Sequence, residues 1–370
     1  MTHEECCRKK EDAIRAFFGT KKIKQSDRYG NGHINDTFLV ITEESGKEVR
    51  FILQRMNSEV FKDPVSLMNN IVLVTDYLRS QIIKAGGDPE RETLTPLKTG
   101  EGKPYFKDEN GFYWRAYTFI TDALSLDRVR TPEDFYESAV AFGRFSGLMA
   151  GFDASLLTET IPDFHNTPKR YEAFEAAVSE DKCARAASVK EEIEFYRAHK
   201  ADMEYCRGLL ESGAIPLRVT HNDTKLNNIM LDAKTGKGIC VIDLDTVMPG
   251  LSIYDFGDSI RFGANTAAED EQDLSKVSLS TELFESYVKG YLKGAGGALT
   301  KEEIRLLPYG AKTMTLECGM RFLTDYLQGD TYFMVHREGH NLDRTRTQIR
   351  LVEDMERKWD EMEAIVKKYA

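Results

Sequence analysis

The sequence has few of the features that mark secreted, zinc-binding or membrane-spanning proteins. Its six cysteines, at positions 6, 7, 183, 206, 240 and 318, show neither CxxC pairs nor Cys/His ligand spacing, which argues against a disulfide framework and a structural zinc site. No apolar run approaches the ~18 residues that a membrane-spanning helix needs. The opening segment, MTHEECCRKKEDAIRAFFG, lacks the apolar core and cleavage site of a secretory signal. We therefore predict a cytoplasmic protein with free thiols and no membrane partner.

Positive charge is also scarce. The chain has 50 Lys and Arg against 61 Asp and Glu, which gives a net charge of −11. Because nucleic-acid backbones are bound by clustered Lys and Arg, this balance disfavours a nucleic-acid partner, although an acidic protein can still bind a nucleotide locally. The composition, 41% hydrophobic and 30% charged, is that of a globular protein, and 370 residues suffice for one large domain or two modest ones, of which two lobes are the starting hypothesis. We predict a monomer.

The first third of the chain combines strand and helix patterns. Residues 27–56 are rich in Val, Ile, Phe and Thr around a glycine-containing loop and a Glu-Ser-Gly-Lys turn, which predicts a β-hairpin. Apolar residues at helical spacing predict a helix from Pro64 to about Lys84. A second hairpin is predicted over residues 94–120, around an Asp-Glu-Asn-Gly turn, and the pattern breaks near Thr121.

After this break the pattern is mainly helical. Thr131 followed by Pro132 predicts a helix start, and residues 346–369 predict one long charged helix. Strands concentrated early and helices later favour an α+β architecture. We predict a β-rich N-terminal lobe, residues 1–121, and a larger, mainly helical C-terminal lobe, residues 122–370.

The strongest chemical signal is RVTHNDTKLNNIMLD, residues 218–232. His221, Asp223 and Asn228 fit the HxDxxxxN pattern of kinase catalytic loops, in which the Asp receives the nucleophile's proton and the Asn binds a metal ion. The alternative is a loop whose short polar side chains cap turns. The catalytic interpretation is favoured because a strand, a turn and a second strand follow, and this hairpin returns Asp243 to the loop.

The stretch IDLDTVMPGLSIYDFGD, residues 242–258, contains four aspartates. Asp243 is predicted to bind Mg²⁺, which prefers oxygen ligands. Asp245 is predicted to share a strand face with Asp243, where it would assist a second metal ion, contact substrate or simply hydrogen-bond within its loop. Asp255 belongs to a literal DFG tripeptide but lies 12 residues beyond Asp243, outside the hairpin, so the metal is assigned to Asp243. Asp258 is predicted to be a helix-start charge favoured by the helix dipole.

Several segments together carry a family resemblance. They are GNGHINDTF, FILQRMN, HNDTKLNNIMLD and CVIDLDTVMPGLSIYDFGD. They closely resemble the N-acetylhexosamine 1-kinases, a branch of the aminoglycoside phosphotransferase and choline kinase superfamily, and the resemblance extends from about Tyr29 to Tyr332. It implies a bilobal protein-kinase-like fold, the cofactors ATP and Mg²⁺, and phosphorylation of the anomeric hydroxyl of N-acetylglucosamine or N-acetylgalactosamine. It also implies that Asp255 braces the catalytic loop.

For the sugar, the resemblance implies roles for individual residues. Asp223 would orient the acceptor hydroxyl and accept its proton, and His33, Arg321 and Tyr332 would contact the sugar. Without the resemblance, Arg321 and Asp325, four residues apart, would be read as an intrahelical ion pair.

For the nucleotide, the predictions are less complete. The glycine loop would let backbone amides at Gly30 and Gly32 approach the nucleotide phosphates or the sugar; Asn-Gly alone is typical of a hairpin turn, and the resemblance favours the ligand contact. Gln54 stands where protein kinases have a phosphate-binding lysine on the third strand, and no clear glutamate is visible in the next helix. By fold analogy the adenine would meet the linker near Phe119 and Ile120.

Two other functions stay open at the level of sequence. One is a kinase of another small alcohol, such as choline, an aminoglycoside or methylthioribose. The other is a pseudokinase that binds nucleotide or sugar without turnover, an interpretation prompted by the missing lysine. Asp223, Asn228 and Asp243 argue against the pseudokinase, because a binding module has no need to retain all three.

Overall fold

The N-terminal part of the chain folds around an antiparallel sheet. The structure is a computed structural model that describes residues 3–30 and 34–370. The sheet has five strands in the order β1-β2-β3-β5-β4. The elements are the helices α1 (His3–Phe18), α2 (Pro64–Lys84) and α3 (Pro89–Glu92) and the strands β1 (Lys22–Arg28), β2 (Asp36–Glu44), β3 (Lys47–Arg55), β4 (Phe106–Lys107) and β5 (Tyr113–Thr118). Both predicted hairpins are present, and α1 and β1 are additions that the sequence patterns did not reveal.

The two faces of this sheet have different partners. Phe51 and Leu53 of β3 and Trp114 of β5 point to one face, where they are buried against Phe18 of α1. Since successive side chains of a strand point to opposite faces, the residues between them face the other way, toward the rest of the protein. The sheet therefore presents a polar strip of β3 and β5 to the cleft described below.

Helix α2 joins the sheet to the helical part of the molecule. Its predicted bounds are confirmed, and the Asp63 carboxylate caps its start by accepting the Ser66 amide at 3.0 Å. Asn70 is buried in its middle and donates to the carbonyls of Thr158, at 2.7 Å, and Val247, at 3.1 Å. A neutral amide thus fixes α2 to the C-terminal part of the chain.

The C-terminal part is mainly helical. Its helices are α4 (Pro132–Met149), α5 (Thr167–Glu180), α6 (Lys190–Ala198), α7 (Lys200–Glu211), α8 (Ser252–Gly263), α9 (Thr281–Ala295), α10 (Lys301–Arg305), α11 (Leu307–Gln328), α12 (His340–Arg357) and α13 (Trp359–Tyr369). Its strands are β6 (Ala123–Leu124), β7 (Arg218–Thr220), β8 (Ile229–Asp232), β9 (Gly238–Val241) and β10 (Met248–Gly250). The predicted α+β, two-lobed kinase-like fold is confirmed. No helix among the described residues has both the length and the apolarity to cross a membrane.

The β8–β9 hairpin lies on a buried core of helices. Strands β8 and β9 pair antiparallel, β6 extends them to a three-stranded sheet, and β7 pairs with β10. Phe256 of α8 packs against Phe284, Tyr287 and Tyr291 of α9, with ring centroids 5.5–5.9 Å apart. Residues 221–228, between β7 and β8, are held against this core by hydrogen bonds to Asp255 and Asp258 of α8.

The prediction of one long C-terminal helix over residues 346–369 is wrong. The helical region begins at His340 and is divided at Lys358, where α12 ends and α13 starts. The Lys358 ammonium donates to the Ser278 hydroxyl, at 2.9 Å, and the Leu279 carbonyl, at 2.7 Å. These hydrogen bonds fix Lys358, and with it the junction of α12 and α13, to a loop about 80 residues earlier in the chain. The spacing of apolar residues along the sequence cannot predict a contact of this kind.

Helices α8 and α11 approach so closely that glycine is required at their contact. A Cβ built on Gly257 would lie 2.2 Å from the Gly310 carbonyl oxygen. We expect Gly257→Ala to lower the free energy of unfolding by about 1–3 kcal/mol, because backbone on both sides has to move. Gly208→Ala is the matched control: Gly208 lies on the exposed side of helix α7 with no atom near the added methyl, and the substitution should raise the free energy of unfolding by ~0.5–1 kcal/mol. Urea denaturation measures both, and equal effects of the two variants would contradict this account.

Candidate active site

The loop after β7 is held in shape by buried hydrogen bonds. The backbone amides of His221 and Asn222 each donate to the Asp255 carboxylate at 2.8 Å. Asn222 has a positive φ of 64°, a conformation that asparagine tolerates better than most residues, and its side chain donates to the Thr246 carbonyl at 2.8 Å. The His221 ring is buried and lies 2.8 Å from the Ile242 carbonyl. The loop is thereby tied to the chain that follows β9.

Asp223 lies at the exposed side of this loop, beside Asn228. The Asn228 amide donates to the Asp223 carbonyl, at 2.8 Å, and to its carboxylate, at 3.1 Å. The Lys225 ammonium lies 2.7 Å from the other carboxylate oxygen. Burial opposes the charge of Lys225, but Asp223 raises its pKa above the ordinary value. Lys225 was missed in the sequence analysis, and its signal was its position two residues after Asp223.

The hairpin places Asp243 next to this loop, as predicted. The Ile242 amide donates to the Asn228 carbonyl at 2.9 Å, and Asp243 then adopts a left-handed backbone conformation with φ 59°. Burial, and then the nearby charges of Asp245 and Asp223, raise the pKa of Asp243 to about 6. Carboxylates whose mutual repulsion is this strong are stabilised by a divalent cation. The oxygen donors of Asn228 and Asp243 fit Mg²⁺.

Asp245 lies in a different setting from the one predicted. Strand β9 ends at Val241, and residues 244–246 form a single 3₁₀ turn, so Asp243 and Asp245 do not share a strand face. Asp245 is buried, forms an ion pair with Arg115 of β5 and accepts a hydrogen bond from Asn35 at 2.7 Å. Its partners therefore come from the N-terminal part of the chain.

Asp255 and Asp258 both support the catalytic loop. Asp255 is buried under the amides of the loop, and burial raises its pKa to about 6 even though those amides favour its charged form. Asp258 was predicted to be a helix-start charge, and this is wrong. It lies in the middle of α8, where it pairs with Arg261 at 3.0 Å and accepts the Thr224 amide at 3.1 Å.

The residues expected at the nucleotide lie around the end of β5. Phe119 follows this strand, its amide bonds the Arg50 carbonyl at 3.2 Å, and its ring meets Tyr29 edge-on with centroids 5.8 Å apart. A cavity of about 340 Å³ opens beside it. The cavity is lined by Glu48, Val49, Arg50, Phe51, Thr118, Phe119 and Thr121. Ile120 is buried, and Gly30 has a positive φ of 77°. The predicted contacts Gly32 and His33 lie outside the described residues.

Arg321, on α11, lies among aromatic rings. Its guanidinium is 5.5–5.8 Å from the ring centroids of Phe164, Tyr332 and Phe333. Tyr332 is 70% exposed, and its hydroxyl accepts from Arg321 at 3.5 Å. The intrahelical ion pair with Asp325 does not form, because the Asp325 carboxylate instead accepts three backbone amides, those of residues 331–333, at 2.8–3.0 Å.

Three further side chains lie beside these rings, and one of them, His165, reaches the catalytic loop. His165 lies 2.7 Å from the Glu317 carboxylate and 3.4 Å from the Asn222 carbonyl. Arg170 donates to the Phe164 carbonyl at 3.1 Å, and its buried Nε makes no hydrogen bond within the described part of the chain. Burial, and then Arg321, lower the pKa of Arg170. Sequence patterns did not reveal these residues, because they come together only through the packing of α5, and of the segment before it, against α11.

Comparison with known proteins gives a consistent result. Residues 27–301 match the model of a family described as the phosphotransferase enzyme family. The chain is similar to an aminoglycoside phosphotransferase from Alicyclobacillus acidocaldarius, with a TM-score of 0.61, 11% identity and coverage of 97% of this chain and 96% of that one. For a microcompartment-associated aminopropanol kinase the values are 0.58, 15%, 95% and 97%. For a spectinomycin phosphotransferase in complex with ADP and spectinomycin they are 0.53, 13%, 92% and 95%. At these identities the structures show a common fold.

Proposed function

This chain belongs to the phosphotransferase enzyme family, whose cofactors are ATP and Mg²⁺, and we propose that it phosphorylates the anomeric hydroxyl of an N-acetylhexosamine. The observation that carries the proposal is the position of the Arg321 cluster. Arg321 lies among the rings of Phe164, Tyr332 and Phe333, of which Tyr332 is exposed, and His165, next to Phe164 in the chain, lies 3.4 Å from the Asn222 carbonyl of the catalytic loop. In this proposal residues 1–121 bind the nucleotide, and residues 122–370 carry the catalytic loop and the sugar site.

The catalytic loop has the groups that phosphoryl transfer needs. Transfer depends on in-line positioning and on neutralising the charge of the phosphoryl oxygens more than on covalent help from the protein. Asp223 orients the sugar hydroxyl and accepts its proton. Lys225, 2.7 Å from Asp223, supplies positive charge at the same point. Asn228 and Asp243 hold Mg²⁺, which neutralises phosphate charge when bound.

The acceptor end of the cleft suits an uncharged, oxygen-rich molecule. Arg170 and Arg321 donate to the Phe164 carbonyl and the Tyr332 hydroxyl, and among the described residues neither makes a hydrogen bond to a carboxylate. Guanidinium donors suit hydroxyl and acetamide oxygens, and exposed aromatic rings suit the face of a sugar. Two such cations disfavour a choline-like or aminoglycoside acceptor, because like charges repel. His33 is proposed as a third sugar contact.

We expect transfer to N-acetylglucosamine or N-acetylgalactosamine to exceed transfer to choline, aminopropanol or an aminoglycoside by at least about 100-fold in kcat/KM. A difference of that size corresponds to ~3 kcal/mol, within the range for gaining or losing hydrogen bonds to charged groups. Phosphorus NMR of the product identifies the position of the phosphate. Turnover of an amino alcohol with none of the N-acetylhexosamines would refute the proposal.

Arg321→Ala tests the same site from the protein side. It should raise KM for the sugar by about 10–100-fold, the effect of losing hydrogen bonds from a charged donor, and leave KM for ATP unchanged. Arg350→Ala is the matched control, since Arg350 lies on α12 and its ion pair is with Glu353 of the same helix. A KM for sugar that is equal in the two variants would remove Arg321 from the sugar site.

A further inference from the structure

The strand that carries the phosphate-binding lysine in protein kinases has Gln54 at that position here, and its neighbour strand has an arginine. In the register of β3 and β5, Gln54 lies directly opposite Arg115. Residues opposite each other in a sheet point to the same face, so both side chains face the cleft. Arg115 Nε donates to Gln54 Oε1 at 2.9 Å, which confirms this orientation.

Arg115 is a buried cation beside the metal-binding aspartate. Its side chain is 2% exposed, and Nη1 forms the ion pair with Asp245. The guanidinium lies 5.4 Å from the Tyr117 ring centroid. Burial alone would lower the pKa of Arg115, but Asp245, Tyr117 and Asp243 raise it above its ordinary value. Arginine therefore stays charged at this site, where a buried lysine would lose its proton more readily.

The usual carboxylate partner of the kinase lysine is replaced as well. In protein kinases that partner is a glutamate on the helix after β3. Helix α2 occupies this place, and its one acidic residue, Asp76, is exposed to solvent. Its buried polar group facing the C-terminal part is Asn70, which is satisfied by backbone groups of Thr158 and Val247. Asp245 is thus the carboxylate that holds the cation.

The charge balance of the cleft leaves a role for this cation. Asp223, Asp243 and Asp245 bring three carboxylates together, and a nucleotide adds phosphate charge. Lys225 is engaged with Asp223, on the acceptor side of the loop. Arg115 uses Nε and Nη1 for Gln54 and Asp245, and Nη2 makes no hydrogen bond to the residues that the structure describes. A planar guanidinium held on two sides, with one amino group available, is preorganised for a phosphate oxygen.

We propose that Arg115 supplies, from β5, the positive charge for the α- and β-phosphates of ATP that β3 lacks, and that Asp245 and Gln54 hold its guanidinium in place. In this arrangement the cation that binds the nucleotide phosphates comes from β5, the strand next to the one that carries the lysine in protein kinases. Asp245 then acts as a positioning residue, which accounts for its burial between Arg115 and Asn35.

The alternative role for Arg115 is a structural link between the two lobes through Asp245. The two roles predict different effects on the binding of ligands with and without phosphate groups. A phosphate contact strengthens the binding of ADP and leaves the binding of adenosine unaffected, whereas a link that shapes the whole cleft affects both.

The test is calorimetric binding of ADP and of adenosine to the full chain without sugar. We expect Arg115→Gln to weaken ADP binding by about 10–100-fold, the effect of losing a charge-assisted hydrogen bond, with adenosine binding within ~threefold of the wild type. Arg115→Gln combined with Gln54→Lys returns a cation to the same face, and should recover at least about tenfold of the lost ADP affinity. Lys22→Gln is the matched control, an exposed cation of the same sheet paired with Glu43.

Equal weakening of ADP and adenosine by Arg115→Gln, with no recovery in the double variant, would overturn the proposal and leave the structural link. If Arg115→Gln does not fold, the binding of ADP and of adenosine to the double variant tests the proposal. A folded double variant that binds ADP as the wild type does supports the phosphate role, and one whose binding of ADP and of adenosine is weakened equally excludes it. Since no sugar is present, these outcomes are independent of the proposed acceptor.

Discussion

Asp223→Asn is expected to lower kcat by about 10²–10⁴-fold, the usual contribution of a positioned general base. Asparagine keeps an oxygen for the Asn228 amide, which donates to Asp223 at 3.1 Å, so the loop should keep its shape. What it loses is the capacity to accept the proton of the sugar hydroxyl. Kd for ADP should change by less than ~threefold, because Asp223 lies on the acceptor side of the metal. Single-turnover kinetics and calorimetry measure the two quantities separately.

Asp273→Asn is the control for this substitution. Asp273 is an exposed aspartate that caps a short turn by accepting the Ser275 amide at 3.2 Å, so its variant should retain wild-type kcat. Undiminished turnover of Asp223→Asn would remove the general base from the mechanism. An equal loss of ADP affinity and kcat would instead mean that Asp223 supports the nucleotide site.

The parts of the fold that could be predicted from the sequence are those specified locally. The start of α2 needs only Asp63 and Pro64, and its length follows from apolar residues at helical spacing. The same holds for α4, where the Thr131 hydroxyl accepts the Asp134 amide at 3.2 Å. The β8–β9 hairpin follows from two short strands and a polar turn, and this is why Asp243 could be placed beside Asn228.

The parts that could not be predicted depend on partners far apart in the chain. Asp245 was read as a neighbour of Asp243, but its hydrogen-bond partner Asn35 is 210 residues away and its ion-pair partner Arg115 is 130 residues away. The absence of a phosphate-binding lysine could be seen in the sequence. Its proposed replacement, Arg115, could be found only from the pairing of β3 with β5. His165 and Glu317 are likewise 152 residues apart. Local patterns specify elements, and the cleft is formed by contacts between them.

The contacts of Asp245 also explain how the two lobes are kept in register. The Asn35 side-chain amide donates to Asp245 at 2.7 Å, and its Oδ1 accepts the Asn57 backbone amide at 3.0 Å. Arg115 approaches Asp245 from the sheet, while Asn70 reaches Val247, two residues further along the chain. The segment that follows Asp243 therefore receives three separate polar contacts from the N-terminal part.

The second large effect is expected at Asp243, and its contrast with Asp255 tests the assignment of the metal. Asp243→Asn should abolish turnover and the stabilisation by Mg²⁺ that the ADP complex shows on heating, because a neutral amide replaces the carboxylate ligand. The folded state itself should not lose stability, since burial and the charges of Asp245 and Asp223 already disfavour the ionised Asp243 carboxylate.

Asp255→Asn should have the opposite profile. The carboxylate accepts the amides of His221 and Asn222 on its two oxygens, and asparagine leaves one of these buried donors facing an NH₂ group. The free energy of unfolding should fall by about 1–3 kcal/mol, the penalty of an unsatisfied buried donor. Added Mg²⁺ should still stabilise the ADP complex of this variant. If Asp255→Asn removed the response to Mg²⁺ and Asp243→Asn retained it, the aspartate of the literal DFG tripeptide would be the metal ligand, and the hairpin assignment would be wrong.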